Sequence, residues 1–462
     1  MRTRDEISKK KWKEKAIERG KRANRLEQEL KRQKSRARRW KKECIELRSG
    51  QPKVEQVAGH PYTLDLIWLG LLMVIKFNVS LRAASKSLCK MGSLLGCKIS
   101  YISPTTLRNW CLKLGLYYLS LDIKGGNYVL ILDESVEIGR EHLMLLIGLR
   151  VDNSSPIKEL TMEDMVVFGV KSRESWRGEK VHVEIEKILS NKNITLDYAV
   201  ADKGSSLRKG LGMSGLTWVS DCTHEMANST KELYSKDDKF SEFIKRMNAL
   251  RAKWVMSKNN KYLPPGLRKK SRFHQVFMVW KWAEKCLDQW SNLSDEAKQE
   301  LEFLQTNRAL IAEMKQIHGL IVIFSGIFKS VGIQATSKKE WADGLAKFRQ
   351  DNPNLSTRAG QFIQYMNDYI SRQEAKFDGA AQILCCSDII ESMFGKYKNK
   401  GGVKMITEDI LQIAAYAQPI TREDVRNAMT GVQIKDILDW KAKNTTISKL
   451  VRKILPSSKK AA

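Results

Sequence analysis

The stretch Gly126-Asn-Tyr-Val-Leu-Ile-Leu-Asp-Glu-Ser-Val-Glu-Ile-Gly139 carries the strongest fold signal in the chain. Its apolar core, Tyr128 to Leu132, is continuous, rich in β-forming residues and flanked by glycines, which predicts a strand buried on both faces. Asp133 then lies at or near the end of that strand, where an unpaired carboxylate costs several kcal/mol. We therefore expect a cation to meet Asp133; the alternative is an aspartate that caps a turn.

Further apolar segments predict four more strands. They are His142 to Val151, Met165 to Val170, Ile194 to Ala201 and Leu216 to Val219. Val181 to Leu189 has helical spacing, and the chain after Thr223 is predicted to be mostly helical. Three strands followed by helix, strand, helix and strand resemble the element order of a ribonuclease H-like α/β core.

The ends of two predicted strands carry acids. Asp133 and Asp202 lie 69 residues apart (202 minus 133). In the resembled fold the first and fourth strands are parallel neighbours, so both carboxylates are expected at one edge of the sheet. Facing carboxylates repel unless divalent cations lie between them, and Mg²⁺ is the natural ion because it prefers oxygen ligands.

Glu391 is the predicted third acid. Ser387 is expected to cap its helix, whose apolar residues pack inward. Lys398 follows Glu391 by seven residues, two helical turns, and so falls on the same helix face. A carboxylate for a metal and a lysine for the adjacent phosphate are thus predicted to project together.

With these motifs the chain resembles the DDE transposases of insertion sequences. The motifs are Leu132-Asp133-Glu-Ser, Ala201-Asp202-Lys-Gly-Ser-Ser-Leu, and Ser387-Asp-Ile-Ile-Glu391-Ser followed by Lys398. Asp221-Cys-Thr-His224 resembles the C/D-x-x-H motif of Mutator-like and hAT-type transposases, which also place a helical insertion before the catalytic glutamate. Here Glu391 lies 189 residues past Asp202. The resemblance covers roughly residues 126 to 400, and it lacks the tyrosine and arginine of a Y-R-E-K motif.

The resemblance implies metal-dependent cleavage and strand transfer at the ends of a mobile DNA element. Asp133, Asp202 and Glu391 would bind two Mg²⁺ ions, with Mn²⁺ as a substitute; one ion would activate water or a 3′ hydroxyl and the other would stabilise the leaving oxygen. Four accessory residues stay open. Glu134 replaces or assists Asp133, Asp388 competes with Glu391, Asp221 is a possible fourth acid, and His224 is structural or catalytic.

The charge of the chain predicts a polyanionic partner, with double-stranded DNA (element ends and target) as the first choice. The 462 residues carry a formal net charge of +29, and residues 1–50 contribute +12 of it, from 20 basic and 8 acidic side chains. An imperfect heptad seam in this segment predicts a long helix that dimerises or docks, and Arg36, Arg38 and Arg39 are predicted phosphate contacts. The alternative is a solvated coiled coil.

Two further segments are predicted to contact DNA. Two short helices, the second starting at Ser103-Pro104, resemble a helix-turn-helix; its Thr105, Arg108 and Asn109 would face base edges, although such units also serve as plain connectors. A loop beginning at Leu263 supplies the cations Arg268, Lys269, Lys270 and Arg272.

The predicted segments follow one another along the chain. They are a basic coiled-coil helix (1–50), a linker (51–59), a helix-turn-helix-like domain (60–122), the first part of the core (123–224), a helical insertion (225–385), the glutamate helix of the core (386–402) and C-terminal helices (403–462).

The sequence predicts a soluble, cytoplasmic, nucleoid-associated prokaryotic protein that forms homodimers or larger homo-oligomers. Its N-terminus is charged, its longest apolar runs are 10 residues where a membrane span needs about 20, and its eight cysteines form no C-x-x-C pair. Two other function classes fit the residues. One is a ribonuclease H-like nuclease without strand transfer, and the other is an inactive DNA-binding protein derived from a transposase.

Overall fold

The computed structural model describes residues 30–31, 33–37, 40, 56–94, 101–136, 141–151, 160–191, 193–267, 276–377, 379, 382–401 and 406–446. The chain divides into two compact units, Met1–Asp65 and Leu66–Ala462. In the first unit, residues 30–31, 33–37 and 40 are helical, and Gln56 pairs with Thr63 in an antiparallel bridge. Most of the predicted heptad seam and linker lies outside the described residues.

The helices before the sheet are α1 (Leu64–Leu71), α2 (Leu81–Leu94) and α3 (Pro104–Ser120). A π-helical turn, Leu72–Lys76, extends α1. The predicted start of α3 is confirmed, because the Ser103 hydroxyl accepts a hydrogen bond from the Thr106 N–H at 3.0 Å and proline occupies the first helical position.

The described residues contain a five-stranded mixed sheet with the strand order β3-β2-β1-β4-β5. The strands are β1 (Gly126–Val136), β2 (His142–Val151), β3 (Met165–Arg173), β4 (Ile194–Ala201) and β5 (Trp218–Ser220). Strand β1 is antiparallel to β2 and parallel to β4, β2 is antiparallel to β3, and β4 is parallel to β5. The predicted strands and the parallel β1–β4 pairing are confirmed, and β5 begins two residues later than predicted.

Two helices cover one face of the sheet. Helix α4 (Gly178–Leu189) and helix α5 (Ser205–Met213) pack on alternate residues of the strands, among them Leu130 and Leu132 of β1 and Ala201 of β4. Side chains alternate between the two faces of a strand. Asp133 therefore points to the face opposite α4 and α5.

After β5 the chain is helical, as predicted. The helices are α6 (Cys222–Tyr234), α7 (Asp238–Trp254), α8 (Val276–Asp288), α9 (Asp295–Thr306), α10 (Arg308–Val331), α11 (Ala335–Asp351), α12 (Thr357–Glu374), α13 (Asp388–Gly401), α14 (Gln412–Tyr416), α15 (Arg422–Gly431) and α16 (Ile434–Asn444). Helix α12 holds the end of β5, because the Tyr369 hydroxyl donates to the Ser220 carbonyl at 2.7 Å.

Among the helices that the structure describes, one, α10, is long enough and apolar enough to cross a membrane. Its Phe324 and Phe328 are fully buried and lie edge-on to Trp341 of α11, at centroid separations of 5.2 and 6.5 Å. One face of α10 thus packs against α11, while 28% of its apolar window is buried within the described structure.

Candidate acidic site

The register of β1 and β4 brings Asp133 and Asp202 together. Ile131 pairs with Val200 in the parallel ladder, so each aspartate follows that pair by two residues on its own chain. Asp133 points away from α4 and α5, because Leu132 belongs to the core on that side. Asp202 follows the end of β4, and its charge acts on Asp133, so the two carboxylates lie near one another at one edge of the sheet.

The electrostatic surroundings of Asp133 reflect this meeting. Burial, together with the negative charge of Asp202, raises the pKa of Asp133 to about 6. The Glu134 N–H donates to Asp133 Oδ1 at 2.7 Å and opposes the rise, as does the nearby His224, while Glu391 adds to it. The charges of both other predicted acids, Asp202 and Glu391, therefore raise the pKa of Asp133.

Asp202 is held by the turn between β4 and α5. Its Oδ1 accepts a hydrogen bond from the Gly204 N–H at 2.8 Å, and Gly204 directly precedes α5. A Cβ at position 204 would lie 2.8 Å from that same oxygen, closer than real Cβ atoms approach. Because Gly204 has no side chain, the Asp202 carboxylate can lie against the turn and accept this hydrogen bond.

Glu391 lies in the first turn of α13 and is open to solvent. Partial desolvation of its carboxyl group raises its pKa, Asp388 and Asp221 add to the rise, and His224 opposes it. The charge of Glu391 also raises the pKa of Asp133. Among the residues that the structure describes, however, Asp133, Asp202 and Glu391 do not form a group whose carboxylate oxygens all lie within 4.8 Å of one another. In the described residues no Lys or Arg forms an ion pair with Asp133, Asp202 or Glu391.

Asp221 links the sheet to α13. It is fully buried at the end of β5 and caps α6, because Oδ1 accepts the His224 N–H at 2.8 Å. Its Oδ2 accepts both the N–H and the hydroxyl of Ser387, at 2.6 and 2.9 Å. The Ser387 hydroxyl, predicted as a helix cap, is therefore used on Asp221, and both Asp221 oxygens are engaged in positioning.

Asp388 is similarly engaged with neighbouring helices. Its Oδ1 accepts from the Thr223 hydroxyl at 2.9 Å and its Oδ2 from the Lys329 ammonium at 2.6 Å. Burial alone would raise the pKa of Asp388, but Lys329 outweighs it and holds the pKa below its ordinary value. Ligand atoms of Asp221, Cys386 and Asp388 lie within 4.8 Å of one another. Both carboxylates of this group accept hydrogen bonds from neighbouring elements, which connect α6, α10 and α13.

Two histidines lie beside the acids. His224, in the first turn of α6, opposes the rise in the pKa of both Asp133 and Glu391. His142, the first residue of β2, is hydrogen-bonded through Nδ1 to Glu134. Glu134 follows Asp133 on β1, and burial together with the charge of Asp202 raises its pKa. Glu134 therefore lies beside Asp133 and Asp202 and is itself hydrogen-bonded to His142.

The predicted DNA contacts are distributed over several elements. Lys398 of α13 donates to the Ser135 hydroxyl at 2.7 Å, which places it at the end of β1 beside Asp133. Arg36 is exposed in the first unit and Thr105 is exposed on α3. Asn109 is half-buried on α3. Arg38, Arg39, Arg268, Lys269, Lys270 and Arg272 lie outside the described residues.

Arg108 has a structural environment that the sequence did not predict. Its guanidinium donates to Asp409 at 2.7 Å and to Glu408 at 2.8 Å, and so ties α3 to the turn before α14. Its predicted contact with a base edge stays a prediction, but the guanidinium is already bound within the protein.

Sequence reasoning missed the residues that position the acids. Gly204, Lys329 and the hydroxyl of Ser387 as a partner of Asp221 were absent from the predicted site. Gly204 had a signal, since glycine two residues after a strand-end aspartate favours a tight turn. The other two depend on contacts 59 and 166 residues apart, which spacing does not indicate.

A scan against models of known protein families finds no match, and a search of curated proteins finds no significant match. Function is therefore inferred from the side chains at this site.

Proposed function

We propose that the chain is a DDE-type DNA transposase with a ribonuclease H-like core, which cleaves DNA at the ends of a mobile element and joins it to a target. One observation carries the proposal. Asp133 and Asp202 each follow the paired residues Ile131 and Val200 of two parallel strands, and the charges of Asp202 and of Glu391, which comes from a distant helix, both raise the pKa of Asp133. In the strand order β3-β2-β1-β4-β5, β2 alone runs in the direction opposite to the other four strands. This arrangement supports the choice of a ribonuclease H-like core.

The three carboxylates fit divalent metal ions. Hard oxygen ligands suit Mg²⁺ or Mn²⁺. Burial and the charges of Asp202 and Glu391 raise the pKa of Asp133, and bound cations would offset this rise. In the described residues no basic side chain pairs with these acids in the manner that Lys329 pairs with Asp388. Bound ions would lower the pKa of an attacking water or 3′ hydroxyl and stabilise the leaving oxygen.

The protein's own groups position the acids. The backbone N–H of Glu134 orients Asp133, that of Gly204 orients Asp202, and the Asp221–Ser387 hydrogen bonds fix the start of the helix that bears Glu391. Positioning of this kind lowers the reorganisation needed during reaction. Lys398, beside Ser135, supplies a cation for the phosphate next to the cleaved bond.

The partners follow from charge. A net charge of +29 favours double-stranded DNA, at element ends and at a target. Action on paired ends would use a homodimer or a larger homo-oligomer, held through the basic N-terminal segment. We place the protein in the cytoplasm, on the nucleoid of a prokaryotic cell.

The test is cleavage and joining of a labelled duplex that carries the gene's own flanking DNA, with and without Mg²⁺. We compare the parent with Glu391→Gln and, as a matched acid-to-amide control three residues earlier, Asp388→Asn. The proposal expects metal-dependent cleavage that falls at least about 10²-fold in Glu391→Gln while DNA binding persists. Asp388→Asn should keep most of the activity, because Asp388 is paired with Lys329.

The products distinguish the competing functions. Joined strands support a transposase, whereas cleavage without joining identifies a nuclease. A parent that binds this DNA but never cuts it indicates an inactive DNA-binding protein. Cleavage that survives Glu391→Gln but disappears in Asp388→Asn would assign the third acid to Asp388.

A further inference from the structure

Four cations gather on the surface where β4 and β5 end. Lys203 directly follows Asp202, Arg208 belongs to α5, Arg372 to α12, and Lys376 lies just past the end of α12. All four residues are exposed. We call this set the β5-edge cluster.

Trp218 and Glu225 are the centres around which the β5-edge cluster forms. Lys376 Nζ lies 5.0 Å and Arg208 Cζ 5.7 Å from the centroid of the Trp218 ring. Lys203 Nζ lies 2.5 Å from one carboxylate oxygen of Glu225, and Arg372 Nη2 lies 3.8 Å from the other. The Lys376 ammonium also donates to the Trp218 carbonyl and, at 2.9 Å, to Gln373 Oε1. Two aromatic contacts, one carboxylate and these hydrogen bonds thus hold the four cations in one place.

The charges within the β5-edge cluster do not balance. Glu225 is one negative charge against four positive ones, and its side chain is only 4% exposed, whereas those of Lys203 and Arg372 are 42% and 61% exposed. Partial burial lowers the pKa of Lys376, with the neighbouring charges of Arg372 and Lys203 adding to the effect. The outward side of the cluster is therefore a concentrated positive surface, which favours an anion that spans several cations.

The position of the β5-edge cluster identifies that anion. Lys203 is the residue after Asp202, so one end of the cluster adjoins the acidic site, and the cluster continues along the β5 edge of the sheet, past Trp218 at the start of β5, to α12. We propose, on the basis of the proposed function, that the β5-edge cluster binds consecutive backbone phosphates of the DNA strand that enters the acidic site. The contacts are to phosphates, so the cluster positions DNA of any sequence.

The first test measures how duplex affinity depends on salt for full-length protein. The variant is Arg372→Gln with Lys376→Gln, which removes two exposed cations, and the matched control is Lys239→Gln with Lys245→Gln, which removes two exposed cations of α7. The inference expects the slope of log K against log [salt] to fall by about 1.8 in the cluster variant, since each lost phosphate contact contributes about 0.9. The control should change it by less than half as much.

A second measurement needs no substitution and so does not depend on how a variant folds. The parent is acetylated with a lysine-specific reagent with and without duplex, and the modification of Lys203 and Lys376 is quantified by mass spectrometry. The inference expects DNA to protect both at least severalfold more than Lys239 and Lys245. Equal protection of all four lysines, or a cluster slope equal to the control slope, would overturn it.

These outcomes are separable from those of the proposed function. If Glu391→Gln still cleaves DNA while the slope of log K against log [salt] falls as expected in the cluster variant, the acid assignment fails and the inference on the β5-edge cluster stands. If the parent cleaves and joins DNA while the cluster variant binds with an unchanged slope, the proposed function stands and the cluster is rejected.

Discussion

Asp221 and Ser387 lie 166 residues apart in sequence, yet the N–H and the hydroxyl of Ser387 both donate to one carboxylate oxygen of Asp221. The other oxygen accepts the N–H of His224. Asp221 therefore joins β5, α6 and α13, and sets the position of the helix that carries Glu391.

Replacing Ser387 with alanine removes one of these hydrogen bonds to a buried carboxylate. We expect the free energy of unfolding to fall by about 1.5–3 kcal/mol, the usual contribution of a hydrogen bond to a charged group. Urea denaturation measures it. The matched control is Ser371→Ala, at an exposed position of α12, which should stay within about 0.5 kcal/mol of the parent. Equal stabilities of the two variants would show that the hydrogen bond from the Ser387 hydroxyl to Asp221 does not stabilise the fold.

Gly204→Ala tests how Asp202 is held. A Cβ would lie 2.8 Å from Asp202 Oδ1, so we expect the carboxylate to shift, with a loss of about 10²-fold in metal-dependent cleavage and weaker Mg²⁺ binding by calorimetry. The fold should persist, because Gly204 has φ −55° and ψ 130°, which alanine adopts without strain. Gly212→Ala is the control, since a Cβ there meets nothing within 4 Å. Full activity in Gly204→Ala would show that Asp202 tolerates displacement.

The raised pKa of Asp133 predicts a pH dependence of stability in the absence of divalent ions. The folded protein holds this proton up to about pH 6, whereas the unfolded chain releases it near its ordinary value of 3.8. The folded state thus binds more protons between these values, and stability should fall as pH rises from about 4 to 6. Asp133→Asn should lack this part of the fall, up to about 3 kcal/mol.

Urea unfolding of the parent and Asp133→Asn from pH 4 to 7.5, in chelator, measures the difference. Parallel stability curves for the two proteins would contradict the burial and charge crowding inferred for Asp133.

Arg108→Gln distinguishes a structural arginine from a DNA contact. The hydrogen bonds of Lys441 and Arg108 outweigh burial and hold the pKa of Glu408 at about 2. Because this pKa is depressed, the stabilisation is fully present above about pH 4.5 and is lost as pH falls toward 2. We expect Arg108→Gln to lower stability at pH 7 by about 1–3 kcal/mol, and the difference to shrink below about pH 3.

The measurement for Arg108→Gln is thermal unfolding across this pH range together with duplex binding at pH 7. Arg349→Gln, at an exposed position of α11, is the control for loss of one positive charge. Unchanged stability combined with a loss of DNA affinity greater than that of the control would restore Arg108 to the predicted helix-turn-helix contact.

The sequence predicted the elements that local patterns specify. Strands β2 and β4 have the predicted bounds, and α3 begins at Pro104 behind its serine cap, because apolar runs and capping residues act over a few neighbours. Parallel pairing of β1 with β4 was expected from the resemblance to a ribonuclease H-like core, and the structure has this pairing, two residues before Asp133 and Asp202.

Residues whose roles depend on distant partners were not predictable. Asp388 and Glu391 lie one helical turn apart and look equivalent in sequence, and what separates them is Lys329 on α10, 59 residues before Asp388. Arg108 was likewise predicted to face base edges, but its guanidinium pairs with Glu408 and Asp409, about 300 residues later in the chain. Such pairings are set by tertiary packing, which periodicity and spacing do not encode.

The helical segment between β5 and α13 begins and ends at residues that touch. The Cys222 N–H donates to the Cys385 carbonyl at 2.8 Å, next to the Asp221–Ser387 hydrogen bonds, so the helices from α6 to α12 leave the core and return to it at one point. A loop closed at its base can change length at small cost, since doubling it adds only about 0.6 kcal/mol of closure entropy. We therefore expect that a change in the length of the outer helices alters the closure entropy little, as long as the contact between Cys222 and Cys385 keeps the helix of Glu391 beside the sheet.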